Sequence, residues 1–540
     1  MVATSRQLPD LCLMASGRFI VQTVCAAIGL NKDSGSNWST HHQLHSSNLK
    51  KTMAVDYLKI GRATDLTGWE RRLYRLLEII PGLLSWVTLL TLIILSYFHP
   101  VLVALFIIAF DVYWLLLVIY LAIILISAYR HTKKSIATDW RQRCLSLQPV
   151  DLTYQPMVGP AIASRQVAWT DLYHLVIFPC YNESYEIIQP GLKAIVDSSF
   201  PKDKMIFVLA IEERGGAAIQ ATADRLKAEY GDNFFRFQII VHPDNLVGEL
   251  KGKGANQAWA AQVIRRELID QLGIDYNLLL ASVFDCDTVI YEQYFHCLAY
   301  KFLTSDKPYR RSYQPIPVYH NNIWQAPFFA RVAAYSNTFW QMMQQIRQEK
   351  LSTYSSHSMS WRALEEVGFW STKMVSEDSR IFWHCFCHYN GDYEVEPMHY
   401  PVSMDVCMDQ KVLSTARNLY KQQRRWGWGV ENVPYLIFNA IKRWKQIPKK
   451  VFADKIFIQM YGFHSWATNA LIIGFVGWLP LFFGGDRFNQ TVLSNNLPNV
   501  TRVLMSIAMI GMVLSAIISS LLLPKRPAGN PWWRRFSMVG

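Results

Sequence analysis

Four short stretches of this chain set reactive side chains at spacings that a turn or a helix start would bring together. "GKGAN" places Lys253 between Gly252 and Gly254 at what reads as a helix N-terminus. Free backbone N–H groups and the helix dipole favour phosphate there, although a surface loop opening a helix would look similar. "DCD" follows the apolar run "YNLLLASVF" and sets Asp285 and Asp287 two residues apart at a strand end. Two ionised carboxylates in such a place are costly unless a cation joins them. Mg2+ or Mn2+ shared with substrate phosphates is the expected one; the alternative is a solvated turn. In "MVSEDSRIFW", Glu377 and Asp378 precede a helical apolar pattern. They suit helix capping, and equally a carboxylate that takes a proton from an attacking hydroxyl. "YKQQRRWGWGV", Tyr420 to Val430, joins Lys421, Arg424 and Arg425 to Trp426 and Trp428 just before a long apolar run. The cations call for an anion and the indoles for a flat partner, or the whole stretch is an interfacial belt.

These stretches need elements to hold them. Residues 174–180, 205–213, 236–243 and 276–287 read as strands, apolar throughout rather than alternating, as strands covered on both faces are. Between them, Glu183 to Ser198, Gly215 to Tyr230 and Gly254 to Gln271 read as helices. The alternation predicts an α/β domain with a mostly parallel sheet and right-handed crossovers. Ligands of such sheets bind beyond the carboxyl ends of the strands. Tyr181, Asn182 and Glu183 follow the first strand, and Glu212 and Glu213 end the second. Gly248 to Gly254 follow the third, and Asp285 and Asp287 end the fourth. All should meet in one crevice.

Four apolar runs are long enough to cross about 30 Å of hydrocarbon. They are Ile79 to Phe98, Val101 to Tyr129, Phe463 to Phe483 and Val503 to Leu523, and they read as two hairpins. Arg71, Arg72, Arg75, Arg130, Lys133 and Lys134 flank the first pair; Lys442 to Lys450, Lys525, Arg526, Arg534 and Arg535 flank the second. This distribution places both termini and the region from about 130 to 455 on the cytoplasmic side, with a bacterial inner or plasma membrane expected. The chain of 540 residues carries 54 basic against 41 acidic side chains, a formal charge of +13. Because the basic clusters flank the apolar runs, they point to the bilayer and not to nucleic acid. Nine cysteines without a Cys-x-x-Cys pair read as reduced thiols. His384, Cys385, Cys387 and His388 read as aromatic-rich core, with a metal site as the alternative. Asp111, inside the second span, is a functional candidate or a residue facing a neighbouring helix. The chain divides into a disordered tail (1–70), a transmembrane hairpin (71–130), a cytoplasmic domain (131–432), an interfacial helical segment (433–462), a second transmembrane pair (463–524) and a basic cytoplasmic tail (525–540). Met53 is a candidate initiator.

Taken in order, "PCYNE", "GKGAN", "DCD", "SED" and "QQRRW" resemble the family-2 inverting glycosyltransferases. The likeness is to the membrane-embedded branch that includes cellulose and hyaluronan synthases. It covers about Tyr173 to Trp426 and extends to the flanking spans. The resemblance implies a GT-A, Rossmann-like domain and a nucleotide-diphosphate sugar donor, expected to be a UDP-sugar. It also implies a divalent cation, Mg2+ or Mn2+, and a glycan or lipid-linked acceptor beside the bilayer. Carried over by position, Tyr181, Glu183 and Glu212 line the nucleoside pocket, and Lys253 reaches the base or phosphate side. Asp285 helps hold the nucleotide and Asp287 ligates the metal. Asp378, with Glu377 beside it, is the general base. Gln422, Arg425 and Trp426 form the Gln-x-x-Arg-Trp motif that closes over the diphosphate and the acceptor sugar. Glu212 stands where the family has Asp, and Ser376 where it commonly has Thr. Four spans are fewer than large processive members use. A short or lipid-linked product, a homo-oligomer, or a groove completed by Val433 to Trp444 would each accommodate that. Two other readings are a non-processive enzyme acting on a lipid carrier and a nucleotide-binding transporter or scaffold. One intramembrane carboxylate offers little material for the transporter.

Overall fold

The computed structural model describes residues 56–157, 160–527, 531 and 538. The expectations for residues 1–55, and for most of the basic tail, lie outside the described residues. Among the described residues, ten strands form two sheets. β1 (Val150–Tyr154) and β2 (Ile162–Val167) make a small antiparallel hairpin. The main sheet holds β3 (Tyr173–Cys180), β4 (Met205–Glu212), β5 (Arg236–His242), β6 (Leu279–Val283), β7 (Val289–Ile290), β8 (Arg311–Val318), β9 (His357–Ser360) and β10 (Glu394–Ser403). Its order is β5-β4-β3-β6-β9-β8-β10-β7.

The half from β5 to β6 is parallel throughout, as the apolar runs predict. Every residue of β4 and of β6 is buried, so neither strand can alternate. The other half is mixed. β9 runs antiparallel to both β6 and β8, β10 is parallel to β8, and β7 closes the edge antiparallel to β10. β9 reads "HSMS", and its polar residues are buried by pairing, with Ser282 and Ser358 hydroxyls 2.7 Å apart. β10 carries Pro397 and Pro401, and its register slips between them, where His399 adopts φ 52°. Prolines ordinarily exclude a central strand, and the irregularity accommodates them here.

The helices that carry the argument are α1 (Gly68–Phe98), α2 (Pro100–Ala137), α3 (Lys253–Ile264), α4 (Phe328–Ile346), α5 (Glu377–His388), α6 (Val412–Gly427), α7 (Asn432–Lys442), α8 (Lys449–Gly474), α9 (Val492–Ala508) and α10 (Ile510–Leu522). One face of the main sheet packs against the helices Tyr185–Val196, Gly216–Tyr230 and Tyr294–Thr304. The other packs against α3, Trp361–Val367 and α5. His384, Cys385 and Cys387 are part of that second layer's interior, buried as core.

Among the described residues, three helices are long and apolar enough to cross a membrane: α1, α2 and the α9–α10 pair taken as one. A fourth span forms if α8 and Val476–Phe483 are joined across a 44° bend. The helices outrun the apolar runs because polar first turns extend them. α1 starts eleven residues before Ile79, and α8 starts at Lys449. Asp111 is buried in α2, and its carboxylate accepts a 2.8 Å hydrogen bond from Thr501 of α9. It faces a neighbouring helix.

Two expected boundaries are corrected. Residues 57–66, assigned to a disordered tail, form two 3-10 turns with Ile60, Ala63 and Leu66 buried. Tyr435 Oη donates to the Leu58 carbonyl at 3.0 Å, and the Phe438 ring packs 5.7 Å from Tyr57. The segment 433–462 is not one interfacial helix. α7 is buried beneath the tail segment and packs on α1 and α8, because Val433, Tyr435, Leu436 and Phe438 make it apolar on all sides. α8 then runs unbroken from Lys449 through the expected start of the third span.

Candidate active site

The carboxyl ends of β3, β4 and β6 open on the same side, and the register fixes what faces what. Ile177 of β3 pairs with Val283 of β6, which in turn pairs with His357 at the start of β9. Asp285 therefore projects just past β6, where Ser355 arrives just before β9. The Ser355 hydroxyl donates to the Asp285 carboxylate. Ser356, at φ 63°, holds this turn, with its Oγ 2.9 Å from the Thr288 hydroxyl. Ser403 of β10 pairs with Val289 of β7, which brings Asp405 beside Asp287. The Asp405 amide donates to Asp287 Oδ2 at 3.2 Å, and Asn321 donates to the Asp287 carbonyl at 2.8 Å.

α3 starts at Lys253, after Gly252 at φ 151°, a backbone conformation that suits glycine. Asn256, one turn in, donates to the carbonyls of Cys180 and Ala210 at 3.2 and 2.7 Å, tying α3 to the ends of β3 and β4. Gly254 permits the approach of α5. A Cβ there would lie 2.8 Å from the Ser371 carbonyl oxygen and 3.0 Å from Glu377 Cβ. Across that contact Lys253 reaches two carboxylates. Its Nζ is 2.7 Å from Asp285 and 2.9 Å from Asp378. One ammonium thus joins a strand end to the first turn of a helix that begins 124 residues later in the chain.

Charge is concentrated here. Burial alone would lower the Lys253 pKa, but Asp285, Asp378 and Glu377 raise it. Burial raises the Asp285 carboxyl, and Lys253, Ser355 and Arg425 outweigh it, so its pKa falls. Asp287 has no ammonium at hand. Burial, then Asp285 and Asp405, push it up to about 8. Glu377 is pushed up to about 8 by burial and by Asp378. Like charges crowded in a buried site ask for a cation. Asp285, Asp287 and Asp405 are hard oxygen donors of the kind Mg2+ or Mn2+ takes together with substrate phosphates, so their chemistry, one or two carboxylates at a time, fits such an ion.

Several expected positions are engaged differently from expectation. Glu212 is held by Arg214, whose Nη2 is 3.0 Å from Oε1 and whose guanidinium lies 4.1 Å from the Tyr181 ring centre. The Glu183 carboxylate accepts the amides of Tyr181 and Asn182 at 2.6 and 3.2 Å, so it shapes the loop after β3. Lys253 faces acidic groups rather than a base pocket. α6 rests on α4 with Thr415 its buried residue, leaving Gln422 and Trp426 half-buried and Arg425 exposed. Arg425 nonetheless lowers the pKa of both Asp285 and Glu377, which puts its charge near the crevice.

A family model matches the C-terminal part of the chain. Residues 282–523, from β6 to the end of the last apolar helix, match the model of glycosyl transferase family group 2. Over those residues the chain carries a domain similar to the family 2 glycosyltransferases. Its fold is similar to that of the mannosyltransferase PcManGT from Pyrobaculum calidifontis in complex with GDP-Man and Mn2+. Identity is 14% over 73% of this chain and 99% of that one, with a TM-score of 0.34. S. aureus TarS is 12% identical over 65% of this chain and 55% of its own, with a TM-score of 0.35. TarS 1–349 in complex with UDP-GlcNAc is 12% identical over 67% and 98%, with a TM-score of 0.30. No curated protein matched.

The crevice gathers Lys253, Asp285, Asp287, Glu377 and Asp378, all expected from sequence. It also holds Arg214, Ser355 and Asp405, which were not. Asp405 carried a usable signal, since it stands two residues past the end of β10 as Asp285 stands two past β6. With β10 unrecognised, that position had no meaning. Ser355 had no signal at all.

Proposed function

We propose that the protein transfers a sugar from a nucleoside-diphosphate donor, a UDP-sugar, to a hydroxyl of a glycan or lipid-linked acceptor, with inversion at the anomeric carbon. The observation that carries this reading is Lys253 bridging Asp285 and Asp378. It sets a diphosphate-side carboxylate and a base-side carboxylate in one crevice at the strand ends. Asp285 and Asp287, with Asp405 beside them, would hold Mg2+ or Mn2+. When bound, that ion supplies charge neutralisation at the diphosphate. Tyr181, sandwiched beside Arg214, offers a ring face to the base. Asp378 accepts the proton of the acceptor hydroxyl as its oxygen bonds to the anomeric carbon. The bond from that carbon to the phosphate oxygen breaks, and its electron pair leaves with the nucleoside diphosphate. Arg425 meets the charge that develops there, Gln422 is carried by the same face of α6, and the Trp426 indole meets the acceptor sugar. The catalytic domain would lie at the cytoplasmic face, a reading that the basic flanks of α1 and α2 support.

The purified protein, incubated with a panel of nucleotide sugars and Mn2+, is expected to release a nucleoside diphosphate from one of them. Analysis of the linkage formed should give the anomeric configuration opposite to the donor's. Release of a monophosphate, or a retained configuration, would overturn the proposal.

A further inference from the structure

Beside the hard oxygen donors lies a soft set that the transfer reaction leaves unused. Cys180 is the last residue of β3, Cys286 stands between Asp285 and Asp287, and Glu183 lies in the loop after β3. All three are buried, at 2%, 1% and 6% exposure. A sulfur from each cysteine and a carboxylate oxygen of Glu183 lie within 4.8 Å of one another. Among the described residues, this is the grouping of three such side chains close enough to share an ion. It arises from the register already described: β3 and β6 are parallel neighbours, so residues just past their ends converge.

Two thiols and a carboxylate suit a different cation from the one the aspartates suit. Thiolate selects thiophilic ions such as Zn2+, Cd2+ or Cu+, whereas carboxylates and phosphates select Mg2+ and Mn2+. Glu183 is held in place by the two amides it accepts from Tyr181 and Asn182, so its carboxylate is oriented before any ion arrives. We infer that Cys180, Cys286 and Glu183 form a thiophilic-metal site whose occupation inhibits sugar transfer. On binding, each thiol releases its proton to solvent as the sulfur–metal bond forms. Cys286 has a catalytic-site carboxylate on either side. An ion that draws its sulfur toward Cys180 turns the Asp285–Asp287 segment and displaces both carboxylates from the donor. The inhibitory half of this inference rests on the proposed function; the binding half does not.

The test is a cadmium titration of the reduced, detergent-purified full chain in which Cys12, Cys25 and Cys407 are replaced by serine. The expected result is an ultraviolet sulfur-to-cadmium charge-transfer band that saturates at one ion per chain. Cys180→Ser and Cys286→Ala should each lose it, and donor turnover should fall in parallel with the band. Cys180→Ser, which touches no reacting atom, should keep its cadmium-free turnover and resist cadmium. A band that persists in either variant, or no band in the parent, overturns the site. A band that forms and is lost in the variants while turnover ignores cadmium overturns the inhibition alone. Since the band reads the thiols directly, its outcome is separate from whether the sugar-transfer reading holds.

Discussion

Lys253 shows how a single residue can be legible in kind while its partners are not. Its place between two glycines at a helix start follows from local chemistry, and the structure keeps it there. What local chemistry does not contain is the identity of its partners, because Asp285 and Asp378 are distant in sequence and meet only through the sheet register. Glu212 is a similar case: the residue is at the strand end as expected, but Arg214, two positions on, engages it. Buried histidines behave in the same way. His174 sits in β3 between the rings of Phe200 and Phe295, at 4.5 and 4.9 Å, with neither ring nitrogen hydrogen-bonded. Burial, and then His296, lower its pKa to about 3. The unfolded chain, with an ordinary histidine value near 6.5, therefore binds the extra proton across the window between. Stability should fall as pH drops from about 6.5 toward 3, by up to roughly 1.4 kcal/mol per unit for this group. Thermal unfolding at pH 6.5 and pH 5 should show that loss in the wild type and a shallower one in His174→Leu. Equal slopes would show that the imidazole is not the group taking up the proton.

At the scale of elements, the parallel half of the sheet was readable because β3, β4 and β6 are buried on both faces and so are continuously apolar. The other half was not, because β9 is four residues with two buried serines and β10 contains two prolines. Their stability comes from pairing and from hydroxyl contacts that no single strand displays. α5 shows the cost of this for the site. Its first turn carries Glu377 and Asp378, and Arg380 follows at 1% exposure. The Arg380 guanidinium donates to Asn432 Oδ1 at 2.7 Å, to the Ile60 carbonyl at 3.0 Å and to the Glu431 carbonyl at 3.2 Å, and it stacks on Tyr435 at 4.0 Å. It fixes α5 to α7 and to the segment before α1. Arg380→Met would leave two buried acceptors and one part-buried acceptor unpaired, for a loss of about 3 kcal/mol. Its thermal midpoint should fall, and kcat should fall more than KM because Asp378 loses its backing. Arg380→Lys should recover part of both. An unchanged midpoint in Arg380→Met would mean that the helix is held by packing alone.

For the whole molecule, hydropathy gave four apolar runs and their order, and α1, α2 and the α9–α10 pair contain three of them, save Leu523, within longer helices. The bend after Gly474 was hidden, since an apolar run does not record where its helix breaks. Charge placement predicts that the segment near Gly484 to Thr491 faces away from the cytoplasm. A single cysteine introduced there should react with an impermeant thiol reagent in intact cells, and one introduced at Lys525 only after the membrane is opened; the reverse pattern would invert the topology. The fold as a whole exists, on this account, to bring strand-end carboxylates and the base of α5 to one sugar nucleotide. The most direct measurement compares wild type with Asp378→Asn in two assays, nucleoside-diphosphate binding in Mn2+ and transfer to acceptor. The account predicts unchanged binding and a transfer rate lower by roughly 10²–10⁴-fold, the usual contribution of a general base. Wild-type transfer by Asp378→Asn would contradict it.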